Sequence, residues 1–172
     1  MAKENKKQIT LKQAAIEDTE FLFEMMQDKE FQKYFPSNLV AESIEEQKKK
    51  LRHLIAQMKN NNGYYFIIYR GEQKTGIIDL YKIDKRNNRA GIGYGIAKQY
   101  WGKGIATKAV KTALKFAKTK QKLHGLNACI NPKNTASKKV LKKCGFKKIG
   151  LAKEYDLEKG KYEDRELYWK IL

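Results

Sequence analysis

Cysteine, histidine and proline are all scarce in this chain, with two of each among 172 residues. Cys129 and Cys144 stand apart without a CxxC spacing, and His53 and His124 are the only imidazoles to join them, so no structural metal site is expected. Cys129 falls in an apolar strand-like run and Cys144 at the end of a helical one, where each reads as a small buried hydrophobe. His53 sits on a helical stretch with no acidic or nucleophilic neighbour in sequence, and His124 lies in a loop. Neither offers a Ser-His-Asp or Cys-His pair, so a covalent intermediate is not expected. The shortage of proline, with no Ser/Gly-rich linker, repeat or low-complexity tract, leaves no internal boundary, and residues 1–172 read as a single domain long enough to enclose its own core. Long apolar runs are missing too. Residues 1–7 are polar and basic, unlike a secretion signal, and no stretch approaches membrane-spanning length. The expectation is a soluble, cytoplasmic protein without a membrane partner.

Acidic residues are also in short supply: 19 Asp and Glu face 37 Lys and Arg, a net charge of +18. Such a balance attracts phosphates, whether on RNA, on acidic proteins or on a nucleotide-like cofactor, and does not choose among them. Much of it is dispersed. Lys108, Lys111, Lys115, Lys118 and Lys122 recur every three or four residues as the solvated stripe of one helix, while Lys138, Lys139, Lys142, Lys143, Lys147 and Lys148 form a denser cluster.

What is present is a clear periodic pattern. Ile9 and Leu11 alternate as in a strand; Asp18 or Thr19 can cap a helix carrying Phe21, Leu22, Met25 and Met26; Ser43 and Glu46 form a capping-box signature before a second helix through Leu51, Leu54 and Met58. Residues 64–69 and 75–83 read as a hairpin, and residues 89–97 as a third strand. There Gly91, Gly93 and Gly95 empty one face, which suggests close approach by a ligand or another backbone. A helix over 103–120, a strand over 126–130, a helix opened by Asn134 and ended at Gly145, and two strands turned at Gly160 complete the chain. The order β-α-α-β-β-β-α-β-α-β-β implies an α/β (α+β) protein with a mixed, mostly antiparallel sheet and helices on both faces.

Chemistry concentrates in residues 99–107, Gln-Tyr-Trp-Gly-Lys-Gly-Ile-Ala-Thr, between the third strand and its helix. Glycines let backbone approach an anion, and the first N–H groups of the following helix, with the positive end of its dipole, suit a pyrophosphate. Lys103 could add a charge and Thr107 a hydroxyl. The P-loop pattern fails because neither Gly95 nor Gly102 opens a run of the required length, and the dinucleotide pattern fails because Thr107 stands where a small residue is needed.

The run Gln99-x-x-Gly102-x-Gly104, followed by Ile105-Ala106, resembles the coenzyme A loop of the GNAT acetyltransferase superfamily. Asn131, Asn134 and Ser137, then Cys144-Gly145-Phe146, resemble the N-x-x-S…G-F segment of its RimJ/RimL-type N-acetyltransferases, and the order of elements fits that fold from Ile9 to Leu172. The resemblance implies a seven-stranded sheet and an acetyl-CoA-dependent transfer to a primary amine, with coenzyme A as product. It places Ile96, Ala97, Gln99, Gly102, Lys103, Gly104, Ile105, Ala106, Thr107, Asn131 and Asn134 at the cofactor: the pantetheine arm pairs with the backbone near Ile96 and Ala97, and Asn134 clamps it. A backbone N–H at Ile96 or Ala97 would serve as oxyanion donor, Ser137 would assist the departing thiolate, and an acid on the next strand, Asp156 ahead of Glu154 and Glu158, would act as base through water. Tyr94 or ordered water stays an alternative for that base. The resemblance favours a protein N-terminal α-amine, such as that of a ribosomal protein, whose reference pKa near about 7.7–8.0 eases deprotonation. Phe31, Tyr34, Phe35, Tyr64, Tyr65 and Tyr100 are candidates to line the acceptor pocket or the core. A small-molecule amine acetyltransferase, a basic RNA-binding module and an acyl-CoA-binding regulator without turnover stay open, as do monomer and homodimer; nucleic acid enters only as a non-specific electrostatic contact.

Overall fold

The chain is described by a computed structural model over residues 8–172, so the polar start at residues 1–7 lies outside the described residues. In chain order the elements are β1 (Ile9–Gln13), α1 (Thr19–Gln27), α2 (Lys29–Gln32), α3 (Ile44–Lys59), β2 (Tyr64–Arg70), β3 (Gln73–Asp84), β4 (Arg89–Ile96), α4 (Ile105–Thr119), β5 (Gly125–Ile130), α5 (Thr135–Lys143), β6 (Lys147–Glu158) and β7 (Lys161–Ile171). This is the order expected from periodicity, with one addition. The single turn α2 has too few residues to show a period, and it exists because Asp28 Oδ1 accepts the N–H groups of Glu30 and Phe31, each at 2.9 Å.

The strands form one seven-stranded sheet in the order β1-β2-β3-β4-β5-β7-β6, antiparallel everywhere except between β4 and β5. Its central strands are apolar on both faces because both are covered. Phe66, Ile68, Ile78, Leu80 and Ile92 meet Ala109, Val110 and Ala113 of α4 and Leu141 of α5, while Ile67 and Ile77 meet Leu22, Met25 and Met26 of α1 and Leu51 of α3. The alanines of α4 let that helix lie close to the sheet. Its lysines at 108, 111, 115 and 118 face water, as expected of a solvated stripe, whereas Lys122 lies beyond the helix end in a left-handed conformation at φ 55°.

Two members of the dense lysine cluster have a structural task. Lys138 on α5 and Lys148 on β6 both reach Glu166 Oε1 at 2.9 Å, and the Tyr168 hydroxyl donates to Glu166 Oε2 at 2.8 Å. Burial alone pushes the Glu166 carboxyl up, but these donors overrule it and hold it down at about 2. Cys144 is buried among the α4 and α5 contacts, as expected, and Cys129 is half-buried. Among the described residues no helix is long and apolar enough to cross a membrane.

Candidate active site

The turn after β4 is built for backbone donors. Residues Lys98–Tyr100 make a 3-10 turn, and both Gly102 (φ 72°) and Gly104 (φ 71°) take left-handed conformations that a side chain resists. An added Cβ at either would meet nothing within 4 Å, so conformation rather than crowding calls for glycine, and the space beside them is open. Gly104 is the N-cap of α4, which begins at Ile105, two residues later than periodicity predicts. The first helical bond runs from Lys108 N to Gly104 O at 3.2 Å, leaving the N–H groups of Ile105, Ala106 and Thr107 without intrahelical acceptors at the positive end of a 15-residue helix. Lys103 is turned back on the loop: its Nζ donates to Gln99 O at 2.8 Å and lies 5.4 Å from the centre of the Tyr100 ring. It clamps the turn, and Gln99 contributes its carbonyl to that clamp.

Next to this turn the sheet opens. β4 and β5 are paired only at Arg89, Ala90 and Gly91, opposite Gly125, Leu126 and Asn127, and separate thereafter. Ala97 N donates to Thr75 O at 2.9 Å, and antiparallel alternation from that bond turns the amide groups of Gly91, Gly93 and Gly95 toward β3 and those of Tyr94 and Ile96 toward the opening. The expected N–H donor at Ala97 is therefore corrected, because that hydrogen is spent inside the sheet. Ile96 N–H faces the opening, and Tyr94 N–H joins it, a donor that the sequence reading passed over. Ile96 O already accepts from the Trp101 indole at 2.6 Å, so Trp101, a residue 46% exposed, ties the turn to the strand edge.

Across the opening, α5 starts at the N-cap Asn134, whose Oδ1 accepts Ser137 N at 3.0 Å. Capping uses the amide oxygen and leaves Nδ2 as the donor for any further contact. Tyr94 Oη donates to Ser137 O at 3.3 Å, which brings α5 onto the edge of β4; burial holds the phenol well above its ordinary value. Asn131 is committed otherwise. Its Nδ2 donates to Glu163 Oε2 at 2.7 Å and its Oδ1 accepts Lys133 N at 2.9 Å, so it belongs to the network around Arg165.

That network holds two of the three acids of β6. Arg165, with a side chain only 9% exposed, donates from Nε to Asp156 at 2.8 Å, from Nη1 to Glu163 at 2.9 Å and from Nη2 to Glu158 at 3.3 Å. Asp156, expected as base, has one carboxylate oxygen, Oδ2, taken by Arg165, and its side chain is 43% exposed. Glu158 is a latch, its Oε2 accepting the Ser37 N–H at 2.9 Å and hydroxyl at 2.7 Å, and Glu154 stands exposed at a bulge with φ 49°. Between the segment after α2 and the β6–β7 hairpin lies a cavity of about 380 Å³, lined by Gln32, Tyr34, Phe35, Asn131, Glu163 and Arg165 among others. The aromatic candidates thus divide: Tyr34 and Phe35 line this cavity, while Tyr64 turns to the other face of the sheet, edge-on to Phe116 at 5.2 Å.

The alternating glycines of β4 serve side chains from neighbouring elements. A Cβ at Gly91 would lie 2.4 Å from the Tyr81 ring, one at Gly93 2.6 Å from Asp79 Oδ1, and one at Gly95 2.6 Å from the Phe31 ring. The close approach expected here is therefore made by Tyr81, Asp79 and Phe31, which lie across β4 on the α1–α3 face.

Comparison with known proteins bears on the fold and the family. The family model described as an acetyltransferase (GNAT) domain matches residues 8–147. The N-acetyltransferase p20 of Bacillus licheniformis is 30% identical over 91% of this chain and 88% of its own length. The [ribosomal protein uS5]-alanine N-acetyltransferase of Escherichia coli is 29% identical over 63% of this chain and 58% of its own length. Among solved structures, RimL, a ribosomal L7/L12 α-N-protein acetyltransferase in complex with coenzyme A, superposes with a TM-score of 0.88 at 20% identity, covering 95% of this chain and 94% of that one. The chain belongs to the GNAT acetyltransferase family.

Proposed function

We propose that residues 1–172 act as one domain in the cytoplasm, transferring the acetyl group of acetyl-CoA directly to a primary amine, the α-amine of a protein N-terminus. The observation that carries this reading is the opening between β4 and β5, where the edge of β4 at Tyr94 and Ile96 has no β5 partner and adjoins the free N–H groups of α4. The N–H groups of Ile105, Ala106 and Thr107, with the Gly102–Gly104 turn, suit a pyrophosphate; the edge of β4 suits the amides of an extended arm; and Asn134 Nδ2 reaches the same arm from α5. When bound, acetyl-CoA supplies an activated thioester carbonyl and a thiol leaving group. The chain then orients the amine, directs the N–H of Tyr94 or Ile96 at the carbonyl oxygen, and lets the Ser137 hydroxyl donate to sulfur.

Charge and kinship support this acceptor. A net charge of +18 repels polycationic amines and suits an acidic or ribosome-bound protein, and the Escherichia coli relative bears the name of an enzyme acting on a ribosomal-protein alanine. Thiol release from acetyl-CoA with peptides bearing a free α-amine, against spermidine and an RNA titration across salt, tests this reading. Faster release with peptides is expected; RNA affinity without release on any amine overturns it. In the same assay Ser137→Ala is expected to lower kcat roughly tenfold, the loss of one hydrogen bond to a developing charge, while acetyl-CoA affinity stays within about twofold. An unchanged kcat refutes the role of Ser137.

A further inference from the structure

Asp79 is a carboxylate in a place where the fold offers no reason for one. Its neighbours Ile77, Ile78 and Leu80 are buried and apolar. It pairs with Gly93 on β4, and its Oδ1 occupies the space that a side chain at Gly93 would fill, 2.6 Å from that Cβ position. Gly93 is the first residue on this face of β4 beyond the last β4–β5 pair, Gly91 with Asn127. A carboxyl oxygen therefore lies across the strand at the root of the opening. Tyr65 on β2 stands directly opposite Asp79, and Tyr81 lies two residues on along β3, so the carboxyl is walled by two phenols.

Resting on the acetyl-transfer reading above, we infer that Asp79 accepts the proton that the acceptor amine releases, with Tyr65 and Tyr81 forming the walls around the ammonium group. An N–H bond of the ammonium breaks with its electron pair left on nitrogen, an O–H bond forms on Asp79, and that proton passes to solvent after turnover. The second proton lost on amide formation leaves with the sulfur as thiol, so Asp79 handles one proton per cycle. No redox change and no further reactant enters.

The electrostatics agree with the geometry. Among the described residues the groups facing Asp79 are the phenols of Tyr65 and Tyr81; β4 presents glycine, and Cys129, Asp156 and Tyr155 bear on Tyr81. Asp79 is half-buried by its own exposure, and its crowded surroundings push the carboxyl from an ordinary 3.8 up to about 7, opposed by its own backbone N–H. Burial, then the Asp79 charge, pushes Tyr65 up to about 12. A carboxyl that titrates near the working pH is matched to taking and returning a proton.

Asp79→Asn keeps the shape and removes the proton acceptor. With the free-α-amine peptide that the wild type acetylates fastest, kcat is expected to fall about a hundredfold, the usual share of a general base, while acetyl-CoA affinity stays within about twofold. The wild-type kcat/KM should rise with pH through about 7, and the variant should lose that limb while keeping the one set by the amine itself. A second readout needs no turnover. Because the folded carboxyl titrates above its unfolded value, the wild type loses stability as pH climbs from 3.8 to about 7, whereas Asn does not ionise. The melting temperature of Asp79→Asn should therefore overtake that of the wild type by a margin that grows from about pH 5 to about pH 8. Unchanged kcat, a retained limb near 7, or parallel melting profiles each overturn the inference. Wild-type acetyl transfer with an equally active Asp79→Asn sinks only this inference, and a wild type inert toward every amine sinks the acetyl-transfer reading with it.

Discussion

Replacing Gly104 with Glu is expected to weaken acetyl-CoA binding by at least about a hundredfold. The variant would set a carboxylate beside the free N–H groups of Ile105, Ala106 and Thr107, in space now open around the Cα. Like charges about 4 Å apart repel by ~4 kcal/mol at an effective dielectric of 20, and each ~1.4 kcal/mol is a tenfold change in affinity. Left-handed backbone at φ 71° adds a separate strain of about 1–2 kcal/mol for any side chain. Gly104→Ala isolates that strain. It should fold less stably than the wild type and still bind acetyl-CoA, whereas Glu abolishes detectable binding by titration calorimetry. Equal affinity in the Glu variant would mean that the anion sits elsewhere.

Arg165→Met carries the second large effect, on stability. Among the described residues the guanidinium is the one cation shared by Asp156, Glu158 and Glu163, and through Glu158 it steadies the segment around Ser37. Removing it leaves three carboxylates facing one another, two of them about 40% exposed and so partly screened. A loss of about 3 kcal/mol is expected, the low end for breaking a buried network, which lowers the melting temperature by roughly 6–12 °C in a domain of this size. Its pH dependence has a definite sign. Arg165 holds the Glu163 carboxyl below its ordinary 4.5, so that contribution is complete above 4.5 and fades as pH falls through the lowered value. The gap between variant and wild type should be widest near neutrality and narrow below about pH 4.5; a gap that widens in acid would contradict the network.

Periodicity made the frame legible because each central element repeats its own signal: Ala109, Ala113 and Ala117 on α4, alternating glycines on β4, glycines at φ above zero in the turn between them. The turn is local in sequence, so its backbone donors could be read from spacing alone. The acceptor side could not. Arg165 gathers acids from positions on both β6 and β7, and its contact with Ser37 through Glu158 joins residues 121 apart. Nothing in the spacing announces such a partner, and Asp156 looked free for that reason. Asp79 was missed for the opposite one: a lone acid in an apolar strand carries no motif. Its signal was the pairing of that acid with Gly93, which becomes visible only once the register of β3 against β4 is known. The spent N–H of Ala97 belongs to the same class, since only register tells which amides of β4 point into the opening.

On the proposed reading, the opening between β4 and β5 moves an acetyl group from acetyl-CoA to a protein α-amine. Incubating the protein with acetyl-CoA carrying a heavy-isotope acetyl group and a cell extract, then locating the label by mass spectrometry, tests it directly. Label is expected on N-terminal α-amines, dependent on active protein and lost with Gly104→Glu. Label confined to lysine side chains or small amines, or no label at all while acetyl-CoA binds, would contradict it.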